Sequence, residues 1–292
     1  MTGIQRSNYY KIIYNDVFLH YYKPYIDVFL CGGASTPDKP SYRDIIRSKL
    51  EAFNIINILY PEDLFMEILN RKKYNLLELE DLLADNSDYI VIVSESPGSF
   101  AELGAFANNY NTKKKTIVLS HTKFKNAKSF INQGPIQHIK DFNKNNVIYY
   151  NKSSIDSCVD VLLKNMNFYQ RKGLYYNKHK TIKDINLITG QYHFIIILLY
   201  YFIELEVSEL SSSIKKIYED KGYDLGNYEV IFSAAVRRLF GNGQICKKKI
   251  NNKSYYSLSN NGYYSASSML KSVLIENKYV FLNRIRLEIM NA

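Results

Sequence analysis

The chain of 292 residues is longer than one ordinary domain, and its 46% hydrophobic content excludes a protein that is disordered throughout. Its three cysteines, Cys31, Cys158 and Cys246, are odd in number and far apart, which excludes a disulfide framework or a zinc cluster and favours a reducing compartment. The net charge of +10 excludes an acidic protein, and most of it lies in residues 171–292, which hold 18 of the 38 Lys and Arg but only 10 of the 28 Asp and Glu.

This charge distribution favours an anionic partner for the C-terminal part of the chain, since phosphate backbones attract clustered Lys and Arg. The abundance of Lys, Asn, Ile and Tyr is equally typical of proteins from an AT-rich genome. The first residues lack the apolar stretch of a signal peptide, and the longest apolar run, residues 194–203, is too short to cross a bilayer. We therefore expect a cytoplasmic protein with no membrane partner.

The first part of the chain alternates short apolar runs with helix-like segments, a pattern typical of a parallel sheet with crossover helices. The apolar runs predict strands over residues 27–31, 55–60, 89–94, 116–120 and 147–150. The segments between and after them predict helices over residues 42–53, 64–84, 100–110 and 155–169. We therefore predict that residues 1–170 form an α/β domain with a doubly wound, Rossmann-like parallel sheet.

The loops that follow four of these strands carry small or polar residues, and parallel strands place such loops along one edge of the sheet, where ligands bind. These loops are Gly32-Gly33-Ala34, Pro61-Glu62-Asp63, residues 95–99, and Ser120-His121. The sequence therefore predicts a ligand site at this edge. Its predicted substrate-binding residues are Gly32, Gly33, Pro97, Gly98, Ser99 and His121.

The sharpest local feature is the segment 95–106, in which a helix is expected to begin near Phe100 after a Pro-Gly loop. The exposed backbone N–H groups of such a helix start suit anionic or ribose-bearing ligands. Glu102 is expected in the first turn, where a carboxylate can attack or stabilise an anomeric carbon. Ser99 to Glu102 also fits the S-x-x-E capping box, in which the carboxylate only returns to its own helix. The candidate catalytic residues are Glu102, with Asp63 and Glu95 as its nearest partners by loop position.

The C-terminal part is predicted to begin with a basic linker over residues 171–189 and to continue as a mostly helical domain over residues 190–292. Helices are expected over residues 192–204, 208–220 and 228–240. A hairpin follows, with strands over residues 244–250 and 254–258 joined by an Asn-Asn turn. The order of helix, turn, helix and hairpin predicts a winged helix-turn-helix domain.

Basic side chains cluster late on the second helix of this motif and on the hairpin. Contacts to phosphate are their simplest joint explanation. In the alternative interpretation the domain docks onto protein, and the lysines only solvate an edge strand. The candidate nucleic-acid-binding residues are Arg237, Arg238, Lys247, Lys248, Lys249 and Lys253.

Residues 27–150 resemble the nucleoside 2-deoxyribosyltransferase-like family, whose strand, Gly-containing loop and Glu-Leu-Gly helix start match residues 95–104. The resemblance implies that Glu102 is the nucleophile on the sugar C1′, and that Asp63 and Glu95 hold ribose hydroxyls or move a proton. The family's Asp-x-Gly pattern is replaced here by Ser96-Pro97-Gly98, which argues against exchange of one base for another.

Nearly the whole chain is similar to ribosyltransferase-like effectors of bacterial retrons, through segments 27–33, 60–65, 95–108, 129–135 and 287–291. This resemblance implies a toxic phage-defence effector held inactive by reverse transcriptase and multicopy single-stranded DNA or RNA, in a homo-oligomer or larger assembly. It also implies an N-glycosidase that cleaves a nucleotide, with NAD as the leading substrate and with no cofactor or metal. The alternative is a nucleic-acid-binding regulator whose α/β domain only senses a nucleotide.

Overall fold

The computed structural model describes residues 3–21, 25–53, 55–60, 62–64, 75–171, 174–177 and 183–291. The chain forms two compact units, Pro24–Lys180 and a second unit that combines Met1–Lys23 with Thr181–Ala292. This division differs from the predicted domain of residues 1–170 at both ends. Residues 1–23, which include the N-terminal helix α1 (Gly3–Ile12), belong with the C-terminal residues, and the boundary after the sheet lies at residue 180.

The unit Pro24–Lys180 is built on a five-stranded sheet with the order β2-β1-β3-β4-β5. All of its neighbouring strands run parallel, so the predicted parallel sheet is confirmed. The strands are β1 (Ile26–Cys31), β2 (Ile56–Leu59), β3 (Tyr89–Val93), β4 (Thr116–His121) and β5 (Val147–Tyr150).

The apolar composition of the strands follows from their burial on both faces of the sheet. Val28, Leu30, Val91, Val93 and Leu119 are all 0% exposed. Helices cover both faces of such parallel sheets, so their strands read as almost continuous runs of Val, Ile and Leu. This is why the strand positions could be read from the sequence alone.

Helices α2 (Tyr42–Glu51), α3 (Leu76–Asn86) and α4 (Pro97–Asn108) follow β1, β2 and β3. Shorter helices α5 (Tyr110–Lys113) and α6 (Gln137–Phe142) flank β4, and α7 (Ile155–Asn165) follows β5. The predicted helix over residues 64–84 falls partly on residues 65–74, which lie outside the described residues.

The predicted helix over residues 155–169 is too long, because α7 ends at Asn165 and Asn167 adopts a left-handed backbone with φ 54°. The chain then forms an antiparallel pair of strands, β6 (Phe168–Arg171) and β7 (Leu174–Asn177). Part of the predicted basic linker is therefore a strand. Residues 172–173 and 178–182 of that linker lie outside the described residues.

The second unit is organised around α8 (Ile188–Phe202), whose residues from Phe194 to Leu199 are all 0% exposed. Along the chain follow β8 (Glu204–Glu206), α9 (Val207–Asp220), α10 (Tyr228–Gly241), β9 (Ile245–Ile250), β10 (Lys253–Leu258), α11 (Asn260–Lys271) and α12 (Lys278–Asn291). The predicted helices and hairpin are present within a few residues of their predicted bounds. The short strand β8, which the sequence analysis missed, pairs with β10 and gives a sheet of order β8-β10-β9.

Aromatic packing explains why α1 and the turn after it belong to the second unit. The Tyr10 ring stacks on Phe202 with centroids 4.7 Å apart, and the Phe18 ring lies 5.1 Å from that of Phe194. Arg6 Nη1 also donates to both carboxylate oxygens of Glu209, at 2.9 and 2.8 Å. Within the described residues, no helix combines the length and apolarity that a membrane crossing requires.

Candidate active site

The strand order reverses between β1 and β3, and a cavity of about 400 Å³ opens at the carboxyl ends of β1, β3 and β4. This is the position at which doubly wound sheets bind ligands. Among the residues predicted from the sequence, Gly33, Glu95 and His121 line the cavity. Much of the remaining wall is aromatic and comes from Tyr42, Phe100, Phe124 and Tyr150.

The other predicted site residues do not line this cavity. Pro97 and Gly98 are exposed outside it, and Ser99 is 1% exposed. The carboxylate of Asp63 lies at the surface, 3.3 Å from the guanidinium of Arg47. Gly32 and Glu102 lie near Arg43 at the end of β1, in a group of charged side chains outside the lining of the cavity.

Helix α4 begins three residues earlier than predicted, at Pro97. Proline suits the first helical position because its fixed φ matches the helix and it has no N–H to satisfy. Ser96 is the N-cap, and the Ser99 hydroxyl completes the capping box by accepting from the Ser96 backbone N–H at 3.0 Å. The predicted capping role of Glu102 is therefore wrong, because Glu102 lies in the second turn and Ser99 satisfies the cap.

The Glu102 carboxyl is mostly removed from water, and its Oε2 atom is buried with no hydrogen-bond partner among the described residues. Burial, and then the negative charge of Glu62, raise the pKa of Glu102 to about 7. The positive charge of Arg43 and a hydrogen bond from the Cys31 thiol oppose this shift. Such a carboxyl is poorly solvated and half ionised near neutral pH, as expected of a functional group rather than a surface one.

A second carboxyl beside Glu102 was missed by the sequence analysis. Glu80 on α3 is only 9% exposed, and burial together with the charges of Glu102 and Glu62 raises its pKa to about 7. The sequence feature that could have identified Glu80 is its position between Leu79 and Leu83, on the buried side of α3. A carboxylate at a core position of an amphipathic helix is a candidate functional group.

Arg43 joins this acidic group to the loop after β1. Its Nη1 atom lies 3.3 Å from Glu62 Oε1 and 3.4 Å from the Gly32 carbonyl oxygen. A Cβ atom at Gly32 would lie 2.7 Å from the Arg43 Cβ, so only glycine permits this approach. The next residue, Gly33, lies against Glu95 on the cavity side, so adjacent glycines contact both the acidic group and the cavity wall.

Glu95 has a structural role in the cavity wall. Its Oε2 and Oε1 atoms accept hydrogen bonds from the backbone N–H groups of Tyr42 at 2.9 Å and Arg43 at 3.0 Å, at the start of α2. The carboxylate thus satisfies two unpaired N–H groups at the positive end of the helix. Both oxygens are engaged, which is unlike the situation of Glu102.

Glu95→Gln should lower the free energy of unfolding by about 1–3 kcal/mol, because a neutral amide leaves one N–H of α2 unsatisfied and removes the charge that favours the helix start. Chemical denaturation checks this. The matched control is Glu51→Gln, since Glu51 forms an exposed ion pair with Arg47 and should change stability by less than about 0.5 kcal/mol. Equal effects of the two substitutions would show that Glu95 has no special role.

The predicted nucleic-acid-binding residues divide into two groups. Lys247, Lys248 and Lys249 are exposed on the edge strand β9. By contrast, Arg238 donates to Thr189 Oγ1 at 3.0 Å with its guanidinium over the Tyr192 ring, and Lys253 Nζ lies 2.8 Å from Glu206 Oε2. Arg237 on α10 is partly exposed and is also engaged in a contact. The hairpin lysines that form no ion pair with a described residue are therefore those of β9.

No three His, Cys, Asp or Glu side chains in the described part of the chain are placed to hold a metal ion. The titratable groups that the site offers are the buried carboxyls of Glu102 and Glu80, with Glu62 and Arg43 beside them. Carboxyls of this kind can act as nucleophile and as proton donor or acceptor at an anomeric carbon.

Comparison with known proteins matches residues 39–256 to the family described as "STM3845 retron effector protein". An Escherichia coli protein named "Retron Ec86 putative ribosyltransferase/DNA-binding protein" is 32% identical over 278 residues, which cover 91% of this chain and 84% of the relative. The protein of the same description from retron Ec73 of Escherichia coli is 41% identical over 117 residues, which cover 38% of this chain and 37% of that relative.

Proposed function

Because this chain belongs to the retron effector protein family, we propose that it is a cytoplasmic phage-defence effector whose unit Pro24–Lys180 cleaves the N-glycosidic bond of a nucleotide. NAD is the leading substrate, since its positively charged nicotinamide leaves as a neutral base and needs little help from an acid. The observation that carries the proposal is the buried Glu102 carboxyl at the carboxyl edge of the sheet, whose Oε2 atom has no hydrogen-bond partner among the described residues. Both relatives are named putative ribosyltransferases, and a carboxylate can act as the nucleophile in transfer of a ribosyl group.

In the proposed mechanism the ionised Glu102 attacks the ribose C1′. The C1′–N bond breaks, its electron pair leaves with the nicotinamide, and a ribosyl ester forms on Glu102. Water then attacks C1′, releases the carboxylate and gives up a proton, for which Glu80 is the acceptor. Glu80 takes the proton-transfer role expected of Asp63 and Glu95, because Asp63 and Glu95 are engaged with Arg47 and the start of α2.

The direct test incubates the purified full-length protein with NAD and, separately, with nucleotide monophosphates, and measures the released base by chromatography. Reaction in ¹⁸O-labelled water shows whether the oxygen on C1′ of the product comes from solvent. Release of nicotinamide with solvent oxygen on the ribose supports the proposed hydrolysis. Intact ligands after prolonged incubation without partners would refute it.

A nucleotide sensor is the second candidate function. It is favoured by the acidic residues of the cavity lining. Among the residues that the structure describes, Glu95 is the only acidic one in this lining, and both of its carboxylate oxygens accept hydrogen bonds from backbone N–H groups of α2. A sensor binds its ligand without consuming it. Calorimetric binding of NAD together with full recovery of the ligand would favour this second function.

For the second unit we propose a winged helix-turn-helix module that binds nucleic acid and holds the effector in a complex with reverse transcriptase and multicopy single-stranded DNA. Its support is the order α8, β8, α9, α10, β9 and β10, in which β8 pairs with the second strand of the hairpin. Lys247, Lys248 and Lys249 are the proposed phosphate contacts. The complex contains more than one copy of the chain in this proposal.

Replacement of Lys247, Lys248 and Lys249 together by Ala should reduce the salt dependence of binding to single-stranded DNA, by about 0.7 in the log–log slope for each phosphate that is no longer neutralised. Fluorescence anisotropy at several salt concentrations measures the slope. Lys253→Ala is the control, because Lys253 is already paired with Glu206. An unchanged slope in the triple variant would favour docking onto protein.

A further inference from the structure

The cavity has a continuous aromatic wall on one side. The rings of Tyr42 and Tyr150 lie 4.8 Å apart, and the His121 ring lies 5.6 Å from Tyr150 and 6.3 Å from Tyr42. The His121 Nδ1 atom accepts from the Lys123 backbone N–H at 3.1 Å, which fixes the orientation of the ring. A planar base can stack on such a surface, since stacking on aromatic side chains is favourable for every base.

Two lysines, Lys39 and Lys123, also line the cavity, and the Lys123 ammonium lies 4.6 Å from the centre of the Phe124 ring in the same lining. Neither has an acidic partner among the residues that the structure describes. The backbone is held at both positions. Lys39 closes a turn through paired backbone hydrogen bonds with Thr36, at 3.0 and 3.2 Å, and the Lys123 backbone N–H donates to the side chain of His121, which caps the turn 122–124. The cavity thus presents two lysines from fixed positions.

The balance of charge in the cavity is positive. Glu95 is the acidic residue of the lining, but two backbone N–H groups at the positive end of α2 compensate its charge. The charges of Lys39 and Lys123 are not compensated in this way. Lysine binds phosphate as a point charge, and a cavity that carries aromatic rings together with two such charges matches a molecule that carries both a base and a phosphate.

We propose that Lys39 and Lys123 bind the phosphate of the substrate while Tyr42 and His121, backed by the buried Tyr150 ring, hold a base, so that the site selects phosphorylated nucleotides over nucleosides. This inference rests on the proposed function for its reaction but not for its binding step. The volume of about 400 Å³ falls in the range of cavities that hold small organic ligands. The substrate class that follows is a nucleotide with at least one phosphate.

The test uses two ligand pairs that differ only by a phosphate: nicotinamide mononucleotide with nicotinamide riboside, and adenosine monophosphate with adenosine. Calorimetry on the full chain carrying Glu102→Gln measures binding without turnover. We expect the phosphorylated member of at least one pair to bind about tenfold more tightly or better, as loss of a charged hydrogen bond implies. Adding Lys39→Ala and Lys123→Ala should reduce this preference to less than about threefold and leave nucleoside affinity unchanged.

Lys125→Ala is the matched control, because Lys125 is an exposed neighbour that contacts the Tyr149 ring outside the cavity lining. It should leave the phosphate preference intact. Equal binding of both members of each pair, no binding of any of the four ligands, or a preference that survives the double substitution would overturn the inference.

The same ligands separate this inference from the proposed function when they are tested with the unsubstituted protein. Phosphate preference without cleavage would retain the role of the lysines and remove the glycosidase. Cleavage of nucleotide and nucleoside with equal kcat/KM would retain the glycosidase and remove the role of the lysines.

Discussion

Replacement of Glu102 by Gln should lower the rate of N-glycosidic cleavage by about three orders of magnitude or more, while the protein remains folded. Glutamine has nearly the same shape as glutamate but cannot form the ribosyl ester. The measurement is single-turnover release of nicotinamide from NAD at saturating protein, which reports the chemical step without product release. Circular dichroism of the variant confirms that the fold is retained.

The same substitution should stabilise the protein at high pH. Burial raises the pKa of Glu102 from 4.5 to about 7, so the folded state holds its proton more tightly than the unfolded chain does. Stability therefore falls as pH rises from about 4.5 to about 7, and the full penalty is present above that window. The neutral Gln avoids this penalty, on the order of 2 kcal/mol at pH 8, and the difference should disappear below pH 4.5.

Asp63→Asn is the matched control for both effects. Like Glu102, Asp63 was predicted to be catalytic and lies after a strand of the sheet, in this case β2. Its carboxylate, however, is exposed and paired with Arg47 at 3.3 Å. We expect it to change the rate by less than about threefold and the stability by less than about 0.5 kcal/mol. A Glu102→Gln variant that behaves like Asp63→Asn would remove Glu102 from the mechanism.

The rate of the unsubstituted enzyme should follow ionisation of the same group. Attack on C1′ requires the Glu102 carboxylate, so the rate should rise with pH and level off above about 7. Because Glu80 carries a similarly raised pKa and lies beside Glu102, the acid limb belongs to the pair rather than to one residue. An acid limb near pH 4.5 would contradict a buried nucleophile.

The sheet could be predicted because its signal is local. Each strand is a short apolar run, and parallel topology then places the loops after the strands along one edge. The packing partner of α1 could not be predicted from a local pattern. Aromatic residues at helical spacing predict that one face of a helix is buried, but they do not indicate which surface that face packs against. Strand β8 was missed because it has only three residues and follows Ile203, whose φ of 66° gives no sequence signal.

The site shows the same division between local and long-range information. Glu102 was found because the residues that start α4, from Ser96 to Ser99, are adjacent to it in sequence. The role of Glu95 depends on backbone N–H groups 53 and 52 residues away. The pKa of Glu80 is raised by burial and then by the charges of Glu102 and Glu62, which lie in other segments of the chain. Contacts of this kind between distant residues depend on the strand order of the sheet, which cannot be predicted from any single segment of the sequence.

The start of α8 is the point at which three segments of the second unit are joined. The Asp184 carboxylate accepts hydrogen bonds from the Tyr14 hydroxyl and the Tyr223 hydroxyl, both at 2.7 Å. Its backbone carbonyl accepts from Leu187 N at 3.0 Å, just before the helix. A side chain at Gly190 would meet this carbonyl directly, because a Cβ there would lie 1.8 Å from the Asp184 oxygen.

Gly190→Ala should therefore destabilise the second unit by about 3 kcal/mol or more, since the obstacle is backbone and cannot rotate away as a flexible side chain would. Relief of the clash must move the 183–187 turn and so break the hydrogen bonds that Tyr14 and Tyr223 donate to Asp184. Hydrogen exchange of the α8 amides and chemical denaturation measure the loss.

Gly241→Ala is the matched control, because a Cβ at the end of α10 meets nothing within 4 Å, and it should be neutral or slightly stabilising. Equal stability of the two variants would show that the close approach of α8 to Asp184 does not hold this unit together.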